Sequence, residues 1–345
     1  MRRLAAVLAL VALALPLANA SARPEATSSW AAPQIAAVVA AGLMAPSEEA
    51  FRPDDPLTWA ELATVVASLG ESVSVDDPSR PVAMKELHAQ LVGVVGLRGE
   101  AREIRLAALA AGLSPTPWLG TETVARLLGL RVNHPRDREQ LERQLHQPAT
   151  RAEAAFSVAR VLALSSDERE AVREQAQTFA PPALGAWPRT VLTRALRFVG
   201  SPYVWAGTSE RPQAMFGKTL PGGFDCSGFV WRVFKLEPFA GAPRLAQVLR
   251  GRTSYEMSGE VPRSARISRA LVRPGDVVFF GSRGPRSRPA EVGHMGIYMG
   301  NGWIVHSSRL GTTLTPMTGW YETSFAWGRS PLAEAGLPDG RLPPA

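Results

Sequence analysis

The spacing of apolar residues changes near residue 188, and this change limits the possible fold more than any other feature. Residues 30–164 are rich in Ala and Leu at helical spacing, and strand-like alternation is hard to find there. Residues 190–199 and 225–236 are predicted to be helices, and later apolar runs predict strands separated by Gly- and Pro-rich turns. These strands are Val277–Phe280, His294–Met299, Trp303–Ser308 and Thr312–Met317. We therefore expect an all-α region followed by an α+β domain with an antiparallel sheet.

The all-α region contains a repeated phrase. Thr58 with Glu61, and Thr150 with Glu153, form capping-box patterns before apolar runs, and each pattern predicts the start of a helix. A third, weaker copy lies at residues 81–97. Helical units that recur at intervals of tens of residues predict a small helical array in which neighbouring units share a core.

A polar stretch separates the two regions. Residues 165–188 are rich in Ser, Asp, Glu, Gln and Pro, and Pro181, Pro182 and Pro188 disfavour a helix near its end. We therefore predict a linker at 165–188. The other predicted parts are residues 1–20, 21–29, 30–164, 189–331 and a C-terminal tail at 332–345.

Residues 1–20 have the three-part layout of a secretory signal. Arg2 and Arg3 precede an unbroken apolar run from Leu4 to Leu15, and small residues follow at 18–20. The run is short for a membrane span, which needs about 20 residues. An uncleaved anchor or a lipid-modified end is the alternative, although no cysteine lies near the cleavage point. We expect a secreted protein with no stable membrane insertion after signal cleavage.

The chain is basic, with a formal net charge of +7. Hydrophobic residues make up 46% of it and charged residues 20%, so it can bury a core and is not a disordered chain. Its arginines are scattered rather than clustered, which predicts a generally basic surface and no nucleic-acid partner. Such a surface suits an anionic neighbour.

Cys226 is the only cysteine, which excludes intrachain disulfides, cysteine-based zinc sites and redox pairs. It follows the turn Gly222-Gly223 and a plausible N-cap, Asp225, so it falls in the first turn of a helix. The helix dipole there favours a thiolate. The thiol is therefore buried and inert, paired with another molecule, or a working nucleophile.

The C-terminal region contains two histidines, His294 and His306, on strands joined by Gly300-Asn301-Gly302. A three-residue loop would place Met299 opposite Trp303, so that Gly296 lies opposite His306 and both rings share one face. A two-residue loop would separate the rings. We predict an odd loop, with His294 as the base for Cys226 and His306 orienting its ring. A metal site is the alternative, but further His or Cys ligands are lacking here, so we predict no metal and no cofactor.

Five motifs in the C-terminal region form a recognisable set: GSPYVWAG, FDCSGFVW, VRPGDVVFF, VGHMGIYMGNG and WIVHSS. Over about residues 190–330 the chain closely resembles the NlpC family of papain-like cell-wall cysteine endopeptidases. The resemblance implies a papain-like catalytic domain at 189–331. It also implies hydrolysis of peptidoglycan stem peptides, usually at the bond between γ-linked D-glutamate and the diamino acid.

The same resemblance assigns substrate contacts. Tyr203 matches a tyrosine that lines the pocket and assists the oxyanion. Asp225 and Ser227 match residues that meet the stem amine and the D-glutamate carboxylate in members requiring a free stem. Ser254 is a weaker match to a further contact. The insertion at residues 209–222 is longer than the shortest loops of the family.

Residues 30–164 resemble S-layer homology repeats, which hold many exported bacterial proteins to wall polysaccharide. The arginine of the TRAE phrase is present as Arg151, while Trp59 and Met84 occupy the comparable places. The implied partners are peptidoglycan stem peptides and, second, anionic cell-wall polysaccharide. The implied location is the cell wall, or the periplasm if an outer membrane is present. A wall-binding protein with a silent catalytic fold, an amidase and an acyltransferase remain the alternative functions.

Overall fold

A computed structural model describes residues 29–338. The predicted signal segment, residues 1–20, and the end of the predicted tail lie outside the described residues. The helical half comprises α1 (Ala32–Ala40), α2 (Trp59–Ser68), α3 (Met84–Val94), α4 (Arg98–Ala110), α5 (Leu119–Leu127), α6 (Arg151–Ala163) and α7 (Ser166–Gln177). A 3-10 helix at Arg136–Leu141 lies between α5 and α6.

The C-terminal half begins with α8 (Ala186–Leu196). It continues with the short strands β1 (Thr208–Ser209), β2 (Gln213–Met215), β3 (Lys218–Leu220) and β4 (Gly223–Phe224). The helices α9 (Cys226–Trp231), α10 (Leu245–Val248) and α11 (Ser254–Gly259) follow. The remaining elements are β5 (Val277–Gly281), β6 (Val292–Gly300), β7 (Trp303–Ser308), β8 (Gly311–Pro316), α12 (Trp320–Thr323), β9 (Phe325–Arg329) and α13 (Pro331–Glu334).

The three predicted repeats meet in a closed ring of backbone hydrogen bonds. Leu57 N–H donates to the carbonyl of Ala149, Ala149 N–H donates to Val82, and Val82 N–H donates to Leu57, each at 2.8 Å. The helices α2, α3 and α6 each begin two residues after one of these positions. The ring therefore holds the three helix starts together around a shared core, as the repeat pattern predicted.

Arg151, the first residue of α6, is only 3% exposed and braces this arrangement from within. Its Nε donates to the carbonyl of Phe51 at 2.7 Å, one terminal nitrogen donates to Met44 at 2.5 Å, and the other pairs with Glu61. Trp59, at the comparable place in α2, is also buried. The guanidinium of Arg151 makes all of these contacts inside the protein. It therefore stabilises the fold and is not exposed for binding a wall polysaccharide.

We expect Arg151→Ala to lower the free energy of unfolding by about 3 kcal/mol, because it leaves buried acceptors unpaired. Urea unfolding followed by circular dichroism measures this loss. Arg52→Ala is the matched control, since Arg52 is an exposed partner of the same Glu61 and should cost below about 1 kcal/mol. Equal losses for the two variants would contradict the bracing role.

The stretch predicted as a linker contains α7. Ser165 and Glu168 form a capping box at its start, and Val172 and Ala176 bury its inner side. Its polar composition reflects a helix with one narrow apolar stripe. The segment beyond it packs on the C-terminal half, where the rings of Phe179 and Trp303 meet edge to face at 5.1 Å.

The C-terminal half contains a five-stranded antiparallel sheet in the order β8-β7-β6-β5-β9. All four predicted strands are present with small shifts at their ends, whereas β9 was not predicted. Helix α9 packs against β6 and β7 at the middle of the sheet. This is the expected α+β papain-like arrangement, and one apolar core continues from the helical half into it. Within residues 29–338, every helix is too short or too polar to cross a bilayer.

The β6–β7 hairpin confirms the predicted register but not its tip. Ile297 pairs with Val305 and Tyr298 with Ile304, as the odd loop requires. At the tip, however, Gly300 rather than Met299 lies opposite Trp303, and a bulge absorbs the extra residue. The left-handed backbone at Asn301 and Gly302 makes a tight two-residue turn, which is why the tip differs.

Candidate active site

Cys226 is the first residue of α9, as predicted. The extended residue Asp225 caps the helix, and its Oδ1 accepts the Gly228 N–H at 2.5 Å. A Cβ at Gly228 would lie 1.9 Å from the Gly207 carbonyl, so glycine is needed for this close approach. The cap and the glycine contact together fix the start of the helix, and with it the position of the thiol.

Burial raises the pKa of the half-buried Cys226 thiol to about 12, and the neighbouring Asp225 carboxylate adds to the rise. Hydrogen bonds from the backbone of Met295 and Ser227 act in the opposite direction but do not offset it. The expectation of a thiolate favoured by the helix dipole is therefore wrong for the resting protein. Desolvation and the adjacent carboxylate both disfavour the charged form of the thiol.

The two histidines meet on one face of the sheet. Nε2 of His294 lies 2.9 Å from Nδ1 of His306, and Nε2 of His306 lies 3.0 Å from the Thr315 hydroxyl. A Cβ at Gly296 would lie 2.9 Å from Cβ of His306. The absence of a side chain at Gly296 therefore leaves the room in which the rings meet, as the sequence predicted.

Burial lowers the pKa of His294 to about 4 and holds the pKa of His306 well below its usual range, so both rings are neutral at pH 7. Each neutral ring carries one N–H. If Nε2 of His294 donates to Nδ1 of His306, then His306 donates from Nε2 to Thr315, and Nδ1 of His294 is left able to accept a proton. Within residues 29–338, no three His, Cys, Asp or Glu side chains are grouped as a metal site.

The thiol lies beside the strand that carries His294. The backbone of Met295, the next residue along β6, hydrogen-bonds the sulfur and lowers its pKa. The charge of a Cys226 thiolate also contributes to the raised pKa of two tyrosines, Tyr203 and Tyr321, after burial. The sulfur therefore lies against the backbone of β6, and Tyr203 is close to it along the backbone through a bridge to Phe224, two residues before Cys226.

Tyr203 is half-buried, and burial raises the pKa of its phenol, which keeps the hydroxyl protonated and able to donate. Its carbonyl accepts the side-chain N–H of Asn133 at 2.8 Å. The helical half thus supports the segment that carries the predicted pocket tyrosine.

Asp225 and Ser227 form one cluster with Arg252, which the sequence reasoning missed. Nη1 of Arg252 donates to the Ser227 hydroxyl at 2.7 Å and lies 3.2 Å from Oδ1 of Asp225. Its other terminal nitrogen donates to the carbonyl of Ala206 at 2.8 Å. The cluster places a carboxylate and a guanidinium, paired with each other, beside the start of the helix that carries Cys226.

Ser254 is buried at the start of α11, and its hydroxyl donates to the carbonyl of Val292 at 3.0 Å. It therefore fixes the first residue of β6, two positions before His294. A direct contact between Ser254 and substrate stays a prediction.

An aromatic wall beside the histidines was also missed. The Tyr321 ring lies 5.1 Å from the His306 ring and 6.0 Å from the His294 ring, and Trp320 lies 6.1 Å from His294. Trp320 is 54% exposed, so this wall faces open space. The aromatic dipeptide before the last strand was the available signal.

Comparisons with known proteins identify two matching regions of the chain. Residues 200–329 match the NlpC/P60 family, and residues 25–63 match the S-layer homology domain. Murein DD-endopeptidase MepH of Escherichia coli strain K12 is 31% identical over 36% of this chain and 37% of its own length. The bifunctional muramidase/DL-endopeptidase CwlT of Bacillus subtilis strain 168 is 34% identical over 41% of this chain and 36% of its own.

Among solved structures, the P60 domain of an antigen from M. avium subspecies paratuberculosis is 27% identical. It covers 41% of this chain and 93% of that one, with a TM-score of 0.31. The matched stretch spans little more than a third of the two curated relatives. Residues 200–329 of this chain therefore form a domain of the NlpC/P60 family, preceded by an S-layer homology domain.

Proposed function

We propose that the protein is a secreted cysteine-type endopeptidase that hydrolyses peptidoglycan stem peptides at the γ-D-glutamyl–diamino acid bond. One observation supports this proposal above the others: the hydrogen-bonded pair His294 and His306 lies on β6 and β7, the two strands on which α9, the helix that begins with Cys226, packs. A nucleophile, a base and an orienting group in this order are the parts that acyl transfer requires.

In the first step, the thiol proton is transferred to His294 while the sulfur attacks the substrate carbonyl. Since thiol and imidazole both rest neutral, Nδ1 of His294 takes the thiol proton as the sulfur of Cys226 bonds to the stem carbonyl carbon. The imidazolium that forms donates from Nε2 to His306, which stays neutral and accepts. His306 thereby stabilises the charge without adding a second one.

The oxyanion of the tetrahedral intermediate needs hydrogen-bond donors. The backbone N–H of Cys226 is free of intrahelical acceptors because it belongs to the first turn of α9. The protonated phenol of Tyr203 is the second donor. Each such donor typically lowers the barrier by about 3 kcal/mol.

Collapse of the intermediate breaks the carbon–nitrogen bond, and His294 gives its proton to the leaving amine. Water then enters, His294 removes one of its protons, and the hydroxyl bonds to the acyl carbon. The carbon–sulfur bond breaks, the thiol regains its proton from His294, and the γ-carboxylic acid leaves and releases its proton to solvent. Atoms and protons balance without a metal or a redox partner.

The choice of bond rests on the resemblance and on the names of relatives. MepH is named a DD-endopeptidase, and CwlT carries a DL-endopeptidase activity in its name. The cluster beside the thiol offers a carboxylate, a hydroxyl and a guanidinium to the polar groups of a γ-D-glutamyl residue. These groups belong to Asp225, Ser227 and Arg252. The S-layer homology match at residues 25–63 supports a location at the cell wall.

Mass spectrometry of digested peptidoglycan tests the proposal, because the new termini identify the bond that is cut. We expect soluble products ending in γ-D-glutamate and products beginning with the diamino acid. Cleavage of cross-links, or release of whole stems from the sugar, would overturn the choice of bond. Binding to insoluble wall with no soluble product would overturn the proposed activity.

A further inference from the structure

A cavity of about 490 Å³ opens between the helical half and the C-terminal half. Trp30, Arg136 and Phe156 line it from the helical side, and Trp205 and Arg309 line it from the C-terminal side. Tyr203 belongs to the same wall. Tyr203 also forms a backbone bridge with Phe224, two residues before Cys226, so the cavity adjoins the site proposed for acyl transfer.

Hydrogen bonds between the two halves hold this cavity in shape. Asn133 donates from its side chain to the Tyr203 carbonyl and from its backbone to the Arg309 carbonyl, both at 2.8 Å. The backbone N–H of Trp205 donates to Oε1 of Glu139 at 2.9 Å. Both walls are therefore fixed before any ligand arrives, which lowers the entropy cost of binding.

The cavity combines aromatic faces with unpaired cations. The Trp205 side chain is 45% exposed, and the guanidinium of Arg136 lies 4.5 Å from its ring. Among residues 29–338, neither Arg136 nor Arg309 makes a salt bridge, although both line the cavity. Aromatic faces accept the apolar faces of sugar rings, and arginine donates to acetamido and lactyl carbonyl oxygens.

The acids near the cavity are already engaged, which disfavours a free ammonium group as its ligand. Glu139 is buried, and its Oε1 already accepts the backbone N–H of Trp205. Asp225 is paired with Arg252. The unpaired groups are cationic donors, so the cavity fits a neutral or anionic, oxygen-rich ligand.

We propose that this cavity binds the N-acetylmuramyl sugar from which the stem peptide extends, so that the protein prefers stems still attached to glycan. This inference rests on the proposed function. In peptidoglycan the sugar precedes the scissile bond by two stem residues, one of them γ-linked, so the span exceeds the roughly 7 Å of two extended α-linked residues. A cavity that shares Tyr203 with the active site lies where that sugar would arrive.

Two substrates with the same stem test this inference, one attached to the disaccharide and one with a free amine. We expect kcat/KM to be at least tenfold higher for the attached stem. Trp205→Ala should reduce this preference to below about threefold, whereas Trp205→Phe keeps an aromatic face and should retain most of it. Arg309→Ala should reduce the preference as well, while Arg102→Ala, an exposed arginine of α4 outside the cavity, should not.

Calorimetry with the Cys226→Ala variant measures binding of the same two molecules without turnover. We expect at least tenfold tighter binding of the disaccharide-linked stem, and a smaller difference when Trp205→Ala is added. Equal affinities, or tighter binding of the free stem, would overturn the sugar assignment, and the second result would assign the cavity to the stem amine. If wild-type protein cleaves neither molecule, the proposed function fails, while the binding comparison still decides what the cavity holds.

Discussion

Cys226→Ala is expected to abolish release of stem fragments from peptidoglycan, with a loss of at least about 10⁴-fold in kcat. The variant has no group that can form the acyl intermediate, and the rest of the site then only binds substrate. Folding should be retained, because removing one half-buried sulfur leaves a small space whose cost is about 1 kcal/mol. The measurement is fragment release by chromatography alongside thermal unfolding.

Cys226→Ser is the matched control for shape and hydrogen bonding. Its hydroxyl fills nearly the same space, yet it is a far weaker nucleophile in a site arranged for sulfur, so it should also be nearly inactive. Undiminished turnover in either variant would exclude Cys226 as the nucleophile. An inactive variant with a collapsed thermal transition would mean that the thiol has a structural role.

The second large effect is expected at His294, where alanine should lower kcat/KM by about 10³-fold, within the range for loss of a general base. His306→Ala should cost less, about 10- to 100-fold, because that ring acts only through a hydrogen bond to His294. Turnover of the same peptidoglycan fragment by both variants measures the difference. Equal or larger damage at His306 would mean that the two roles are exchanged.

The pH dependence of the wild-type protein follows from the two pKa directions. Below a pKa of about 4 the His294 ring is protonated and cannot accept the thiol proton, so kcat/KM should fall only in strongly acidic solution. Since the thiol pKa is raised to about 12, its alkylation by iodoacetamide should keep rising with pH through neutrality. An alkylation rate that is already constant at pH 6 would instead indicate a preformed thiolate.

The histidine face was predictable because strand geometry has a strict period of two. One assumption about loop parity placed His294, Gly296 and His306, and the register beyond the tip agrees with it. The tip itself depends on left-handed backbone at Asn301 and Gly302, which makes a two-residue turn in place of the three-residue loop. The sequence is therefore compatible with two hairpin tips, a two-residue turn with a bulge and a three-residue loop without one.

Arg252 and Tyr321 could not be found in the same way. Arg252 reaches Asp225 across a separation of 27 residues, and no periodicity links the two positions. Tyr321 approaches the histidines because α12 turns back over the sheet after Pro316, where Gly319 takes a left-handed backbone. Such contacts depend on tertiary folding, which sequence spacing alone does not encode.

The protonation state of the thiol was mispredicted for a physical reason. The helix argument considered only the positive end of α9. It omitted desolvation by the strands that pack on the thiol and the nearby charge of Asp225, both of which oppose ionisation. Some burial of the thiol could be predicted, because Phe229 and Val230 share the helix face with Cys226. The extent of that burial depends on tertiary packing and could not be predicted.

The ring formed by Leu57, Val82 and Ala149 has a consequence for synthesis and truncation. Each member both gives and receives a hydrogen bond, so two members alone leave a donor and an acceptor unpaired. During synthesis from the amino end, the ring cannot close before residue 149 has left the ribosome. A fragment that ends before residue 149 lacks the third member of the ring. The helical half should therefore be gained or lost as a whole during evolution, and partial deletions within it should yield degraded protein instead of a shorter working version.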